Sequence, residues 1–260
     1  MIKRKTQILN VSSQNSINGN YKSQVSVSIP DANFSNPNIQ SVYFSVQHCE
    51  VPNSFYVINY TNNVLVINSI YYTLQRGNYS TTSFITYLLT ILPSGFGITY
   101  NNITNKFTLT NSATFTINSS VSTINNVMGL GSADLTSVSN SLTLPNCVNF
   151  LPLSRLNFRT NLFKFKNFNQ YDNSGDIILS LQNNAPQMGC INFQSQGKTN
   201  FLLEDKTITT FILSVTDDKG NLINFNGIDW YMTFQIEIEY LEEIKNINFQ
   251  TLVNQYQHTN

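Results

Sequence analysis

The chain has 260 residues, of which 14 are Lys or Arg and 14 are Asp or Glu, so its formal net charge is zero. Hydrophobic residues make up 41% and aromatic residues 12%, which is enough for a packed core and excludes a wholly disordered chain. The balanced charge argues against nucleic-acid binding through a broad basic surface, and no apolar run approaches the ~20 residues of a membrane span.

The composition also bears on the surface and the compartment. Charged residues make up only 11% while 39 residues are Asn, so we expect a surface of neutral amides and hydroxyls. Two explanations stay open: codon bias in an A/T-rich genome, and selection for packing against other subunits, where unpaired charges are costly to desolvate. The basic start has no apolar stretch behind it, so we expect no secretory signal. Three scattered cysteines, Cys49, Cys147 and Cys190, indicate free thiols in a reducing compartment.

Residues 1–68 are predicted to form an N-terminal arm, residues 1–21, followed by the first strands of a β-domain. Apolar residues alternate with small or polar ones at 25–29 and again at 42–46. A period of two is typical of strands with one face on a core and one face in water.

Residues 69–135 are predicted to form a small α+β domain inserted within the β-domain. Strand-rich segments of similar character lie on both sides of it. The predicted order is β-α-β-β-β-α, with strands at 71–75, 97–101, 106–110 and 113–117.

Both helices of this insertion have sequence signals at their ends. Ser80 and the two threonines after it offer caps for the first helix, which Pro93 ends. The second is predicted to run from a cap at Ser119 or Ser120 to Gly129, a typical C-terminal stop.

Residues 136–245 are predicted to complete the β-domain, and they contain a basic cluster. Arg155 and Arg159 lie just before Lys164 and Lys166, which alternate with phenylalanines. One interpretation is a solvated strand face. The other is a surface that meets an acidic partner, such as a neighbouring subunit or an inner membrane.

The end of this segment predicts a three-stranded antiparallel meander. A β-rich stretch at 207–216 leads into the turn cluster 217–221, and a short apolar stretch then meets Asn226-Gly227, a strong hairpin signal. From Trp230 to Tyr240 every second residue is apolar, which predicts a long half-buried strand with Trp230 in the core.

The residues that usually carry catalysis do not form a convincing site. His48 and Cys49 are neighbours on a predicted strand, so their side chains should diverge. Asp217 and Asp218 are better explained by turn chemistry than by a calcium site. Gly129 and Gly131 follow a helix instead of opening one, which is wrong for a phosphate loop. We therefore expect no enzyme activity, no cofactor and no metal.

Two stretches resemble a known group of viral proteins. The segment 213–230 resembles the closing hairpin of minor capsid or penton proteins of virophages, polinton-like viruses and related large double-stranded DNA viruses. The segment 74–84 is similar to their Gly-x-Tyr-[Ser/Thr] junction between a strand and a helix, and segments 98–102, 106–112 and 127–131 follow in the family's order. The matching signature residues are Gly77, Asn78, Tyr79, Asp217, Gly220, Leu222, Ile223, Asn226, Gly227, Asp229 and Trp230.

The resemblance implies an all-β protein: a single jelly-roll β-sandwich of two four-stranded sheets with the small α+β insertion. It also implies a penton of five identical copies at the icosahedral vertex of a virion assembled inside the host cell. Its partners would be copies of itself, the neighbouring major capsid protein and minor capsid or cement proteins. The polar tail 246–260 has no clear family counterpart; it either docks on a neighbour or is mobile.

Three alternatives stay open at this point. One is a non-vertex minor capsid or cement protein, and another is a carbohydrate-binding jelly roll used in host attachment. The third, a glycoside hydrolase on a β-sandwich, needs a pair of carboxylates facing a cleft, and the sequence offers no candidate pair.

Overall fold

The structure, a computed structural model, describes residues 2–29, 34–151, 153–163, 176–197 and 199–241. The chain divides into two units, which we call the first unit (Met1–Asn53 with Arg155–Asn260) and the second unit (Ser54–Ser154). Lys164, Lys166 and the tail 246–260, for which predictions were made, lie outside the described residues.

The secondary structure is mostly strand. The first unit begins with strands β1 (Ile2–Ser12), β2 (Gln24–Ser28) and β3 (Ile39–Pro52). The second unit contains β4 (Val64–Ile67), β5 (Ile70–Thr73), α1 (Thr81–Ile91), β6 (Gly97–Asn101), β7 (Lys106–Thr110), β8 (Thr116–Ile117), α2 (Asn125–Met128), β9 (Leu135–Thr136) and β10 (Ser141–Thr143). The first unit then resumes with β11 (Arg155–Thr160), β12 (Ile177–Gln182), β13 (Cys190–Gln194), β14 (Phe201–Leu202), β15 (Thr210–Thr216) and β16 (Tyr231–Leu241).

The first unit is a jelly roll. Its first sheet has the order β1-β16-β3-β13, with the short β14 also on β3, and its second sheet has the order β12-β11-β15-β2. If β14 is left out and the other eight strands of the first unit are numbered 1 to 8 along the chain, the two sheets have the orders 1-8-3-6 and 5-4-7-2. These are the strand orders of two interlocked Greek keys. Every pairing is antiparallel. The predicted fold class, a single jelly roll with an inserted α+β domain, is confirmed.

The two sheets pack face to face through aromatic side chains. Phe44 on β3 and Phe234 on β16 lie in the first sheet, and each has its ring centroid within 6.4 Å of that of Phe211 on β15 in the second sheet. Trp230, fully buried, meets Phe158 of β11 edge to face at 5.3 Å. The predicted inward phases of β2, β3 and β16 are therefore confirmed.

Two expectations about the first unit were wrong. Residues 1–21 are not a separate arm, because β1 pairs with β16 over its whole length. The three-stranded meander does not form either, because β15 and β16 belong to different sheets and the connection between them crosses the sandwich. In that connection Leu222 makes one isolated bridge to Thr216.

The second unit has its own core and interrupts the jelly roll between β3 and β11. One sheet has the order β5-β4-β8-β9 and the other β10-β7-β6, and their core includes Phe84 and Leu88 of α1. The unit extends beyond the predicted bounds of 69–135 on both sides, because Val57 and Leu144 also belong to this core.

The predicted order of elements in this region agrees with the structure, but the second helix is shorter. Ser80 caps α1 in a capping box with Ser83, as its sequence suggests. Instead of a helix from Ser119 or Ser120, residues 118–123 form turns whose polar groups bond to β4: the Ser122 hydroxyl accepts the Val66 N–H at 2.9 Å. Gly129 ends α2 with φ 81°, and a Cβ there would lie 2.3 Å from the Asn146 carbonyl oxygen. Among the described residues, no helix is long and apolar enough to cross a membrane.

Replacing Trp230 by alanine is expected to lower the free energy of unfolding by about 3–5 kcal/mol, because this fully buried ring fills the space against Phe158. Tyr231→Ala is the matched control: the side chain is the next along β16 and is 53% exposed, so its loss should cost about 0.5 kcal/mol or less. Urea unfolding of the dilute single chain, followed by far-UV circular dichroism, measures both. Equal losses would contradict the inward and outward phases of β16.

Candidate functional site

The signature residues fall into two groups, one in each unit. Gly77, Asn78 and Tyr79 precede α1 in the second unit. The others lie in the connection between β15 and β16 of the first unit: Asp217, Gly220, Leu222, Ile223, Asn226, Gly227, Asp229 and Trp230. In both places the hydrogen bonds of these residues fix the course of the backbone.

Asp217 closes the first turn of the β15–β16 connection. Its Oδ1 accepts the backbone N–H groups of Lys219 and Asn221 at 2.8 Å, and its Oδ2 accepts the side-chain amide of Asn221 at 2.9 Å. Gly220 follows with φ 85°, a conformation that favours glycine. Both carboxylate oxygens are thus engaged in the turn, which supports turn chemistry at this position. Among the described residues, no group of three or more His, Cys, Asp or Glu could hold a metal ion.

Asn226 and Gly227 form the tight turn that their sequence predicts, although it joins no pair of adjacent strands. Their φ angles are 52° and 84°, and the Ile228 N–H donates to the Phe225 carbonyl at 3.1 Å. Two successive positive φ angles with this bond define a type I′ turn. The Gly227 N–H also donates to the Asn20 carbonyl at 2.8 Å, so the turn is fastened to the β1–β2 connection.

Four residues, Ser13, Lys22, Asp229 and Trp230, form a cluster that we call the clasp. Asp229 Oδ1 accepts the Ser13 hydroxyl at 2.9 Å and lies 3.2 Å from Lys22 Nζ. The Trp230 N–H donates to Ser13 Oγ at 3.0 Å, and the Ser13 N–H donates to the Trp230 carbonyl at 3.1 Å. The indole Nε1–H donates to the Lys22 carbonyl at 2.6 Å. The clasp therefore joins the start of β16 to the segment after β1.

Sequence reasoning identified only half of the clasp. Asp229 and Trp230 stand out through the family resemblance, whereas Ser13 and Lys22 carry no local signal. Ser13 lies 216 residues before Asp229, so no periodicity or spacing could relate the two.

In the second unit, Gly77 and Asn78 attach the segment before α1 to the start of the unit. Gly77 and Ile58 exchange two backbone hydrogen bonds of 3.0 Å. Asn78 Oδ1 accepts the Val57 N–H at 2.8 Å. These bonds fix the direction in which the chain approaches the helix.

Tyr79 packs the same junction against α1. Its ring stacks on Tyr87 with the centroids 5.4 Å apart and meets Phe84 edge to face at 5.6 Å. Its hydroxyl donates to the Gln75 carbonyl at 2.9 Å. Burial, with a smaller effect from Tyr87, raises the pKa of Tyr79, so the phenol stays protonated near neutral pH.

His48 and Cys49 diverge on β3, as predicted. Cys49 is fully buried, and desolvation, with smaller effects from Cys190 and Glu50, raises the pKa of its thiol well above its usual range. His48 faces the other way, with Nε2 3.6 Å from Glu50 Oε1. The two side chains therefore do not form a nucleophile–base pair.

At Arg159, the interpretation of the basic cluster as a solvated strand face is wrong. The side chain is only 6% exposed: its Nε donates to Thr216 Oγ1 at 2.8 Å and its NH1 to Asp176 Oδ1 at 3.0 Å. Arg155, by contrast, is exposed. The prediction failed at Arg159 because a strand pattern does not show which distant carboxylate will lie beside it.

Replacing Gly227 by valine is expected to lower the free energy of unfolding by about 1–2 kcal/mol, because an L-residue with a branched Cβ is strained at φ 84°. A Cβ here meets no atom within 4 Å, so the loss would come from the backbone conformation and not from a clash. Gly227→Asn is the control, since asparagine tolerates the left-handed region. Equal losses in thermal or urea unfolding would exclude φ as the cause.

No family model matches the chain, and no curated protein matches it. Among solved structures, the chain is similar to the crystal structure of the selenomethionine-labelled mavirus penton protein, with 11% sequence identity and a TM-score of 0.44. The match covers 92% of this chain and 100% of the penton protein chain. At this TM-score the similarity carries no argument about fold or function, and the fold assignment rests on the strand order itself.

Proposed function

We propose that this chain is a structural capsid protein of a double-stranded DNA virus and that five copies form the penton at an icosahedral vertex. The observation that carries the proposal is the strand order of the first unit, 1-8-3-6 and 5-4-7-2, interrupted by a separate unit between the third and fourth strands. Jelly rolls of this kind are common in viral capsid proteins.

The motif resemblance adds the viral part of the proposal, since a jelly roll alone also serves lectins and cupins. The two stretches that resemble the penton family occupy the two junctions described above: the backbone before α1, and the connection that ends in the clasp. In both, the matching residues make the hydrogen bonds that set the path of the chain.

The proposed mechanism is assembly, without chemistry on a substrate. A ring of five requires a heterologous contact, in which one flank of a copy fits a different flank of the next. A permanent contact of this kind buries roughly 2,000 Å² in total. Neutral amides and hydroxyls suit such flanks, because they form hydrogen bonds across a seam with a smaller desolvation penalty than ions.

Around the ring, the proposed neighbours are the major capsid protein and minor capsid or cement proteins. Contacts repeated over a closed shell give strong overall binding even when each contact is weak. Because β1 is part of the first sheet, it is not a free arm that could clamp to these neighbours.

The purified full-length chain is expected to form a homopentamer, with a mass five times that of one chain in native mass spectrometry and in sedimentation equilibrium. A stable trimer would favour the alternative of a non-vertex minor capsid protein. A species that stays a single chain at all concentrations, and that is absent from purified virus particles, would contradict a capsid role.

A further inference from the structure

The outward-facing side of the first sheet is a broad surface with several exposed apolar side chains, and we call it the open face. Strand alternation places on it the even-numbered residues of β1, the odd-numbered residues of β16 with their partners on β3, and the outward-facing residues of β13 and β14, among them Cys190 and Leu202. Large apolar residues that it exposes by half or more are Ile2, Ile8, Leu202 and Tyr231. Ile2 lies opposite Leu241 and Leu202 lies opposite Tyr43, so apolar side chains adjoin one another at two places on this face, as they do at interaction sites.

Among the described residues of its strands, the open face carries Arg4 and three glutamates, Glu50, Glu237 and Glu239, so its charge is net negative. Arg4 and Glu239 form an ion pair at 2.8 Å. His48 lies 3.6 Å from Glu50. Glu237 is only 8% exposed and accepts the amide of Gln235 at 2.7 Å. A neutral or basic flank can therefore approach this face at a lower electrostatic cost than an acidic flank.

The outward-facing side of the second sheet is different, because its polar groups are bonded to one another. Arg159 joins Asp176 to Thr216, and Asn157 accepts the Ser180 hydroxyl while donating to Asp218. Asn157, Arg159 and Thr216 are each less than 9% exposed. Among the described residues of this side, Ile212 is the large hydrophobic residue that is exposed, at 40%.

The open face is large enough to supply a large part of one side of a permanent contact. At ~3.4 Å per residue and ~4.8 Å between strands, the 43 residues of β1, β16, β3, β13 and β14 cover roughly 700 Å². A permanent contact of roughly 2,000 Å² in total buries about 1,000 Å² on each partner, so this face supplies about two thirds of one side.

We propose that the open face is the surface on which the next copy of this chain docks, an inference that rests on the proposed homopentamer. The next copy meets it with a different flank. If two open faces met across a two-fold axis, they would bring Glu50, Glu237 and Glu239 against the same carboxylates and would close a pair instead of a ring.

The cysteines of the chain can be used to test this contact by chemical labelling. Cys190 is exposed on β13 and lies on the open face, because its neighbour Ile191 points inward with Val51. Cys147 is exposed in the second unit and serves as the control, while the buried Cys49 reports unfolding. Desolvation and the nearby Glu50 raise the pKa of Cys190. Labelling rates are therefore compared for the same cysteine in the oligomer and in the dissociated chain, and not between different cysteines.

In the wild-type oligomer, maleimide labelling of Cys190 should be at least about tenfold slower than in the chain diluted until it dissociates, because a docked copy blocks access to the thiolate. Labelling of Cys147 should not change, and Cys49 should stay unlabelled in both states. Mass spectrometry of the peptides measures all three.

Ile8→Glu should weaken assembly by at least about tenfold in dissociation constant, since it replaces an exposed apolar side chain of the contact by a charge. The control Ile103→Glu, on the 88% exposed turn of the second unit, should assemble like the wild type.

The two proposals fail in distinguishable ways. If the wild type forms a pentamer in which Cys190 reacts as fast as in the dissociated chain, or if Ile8→Glu assembles normally, the open face is not the contact and the penton proposal stands. If the wild type does not assemble at all, the proposed function falls and this inference falls with it.

Discussion

The last strand, β16, lies between β1 and β3, and its hydrogen bonds to both strands hold the first unit together. β16 bonds to β1 on one side and to β3 on the other along nearly its full length. The clasp fixes the register at the start of this strand, because the backbone of Trp230 is bonded to Ser13 and its indole to the Lys22 carbonyl. The same ring fills the space between the sheets against Phe158. The sandwich, and with it the open face, depends on the pairing of β16 with β1 and β3.

The high content of asparagine has a use that neither codon bias nor subunit packing requires. Asparagine side chains replace backbone partners at many turns: Asn18 Oδ1 accepts the N–H groups of Ser23 and Gln24, and Asn53 donates to the carbonyls of Ala185 and Pro186. Other asparagines occupy the left-handed region, where few side chains are tolerated; these are Asn68, Asn105, Asn140 and Asn226. Part of the neutral polar composition therefore stabilises the loops of the chain itself.

Local sequence patterns predicted the strands and helices well, whereas they predicted poorly which strands pair and which distant residues are in contact. The period of two identified β2, β3 and β16, and cap residues placed the start of α1 and the end of α2, because these signals depend on neighbours in the sequence. The same reasoning put β15 and β16 in one meander, although they lie in opposite sheets, and treated β1 as an arm. It also missed Ser13, Lys22 and the partner of Arg159. These features depend on contacts between distant segments, which a single sequence does not display.

The central position of β16 has a consequence for folding during synthesis. The second unit is one continuous stretch, Ser54–Ser154, so all of its residues emerge from the ribosome before those of β11 do. The first unit cannot finish its first sheet until the final strand arrives to fill the gap between β1 and β3. With its decisive contacts more than 200 residues apart, the jelly roll has a high contact order, and closing it is expected to be the slow step.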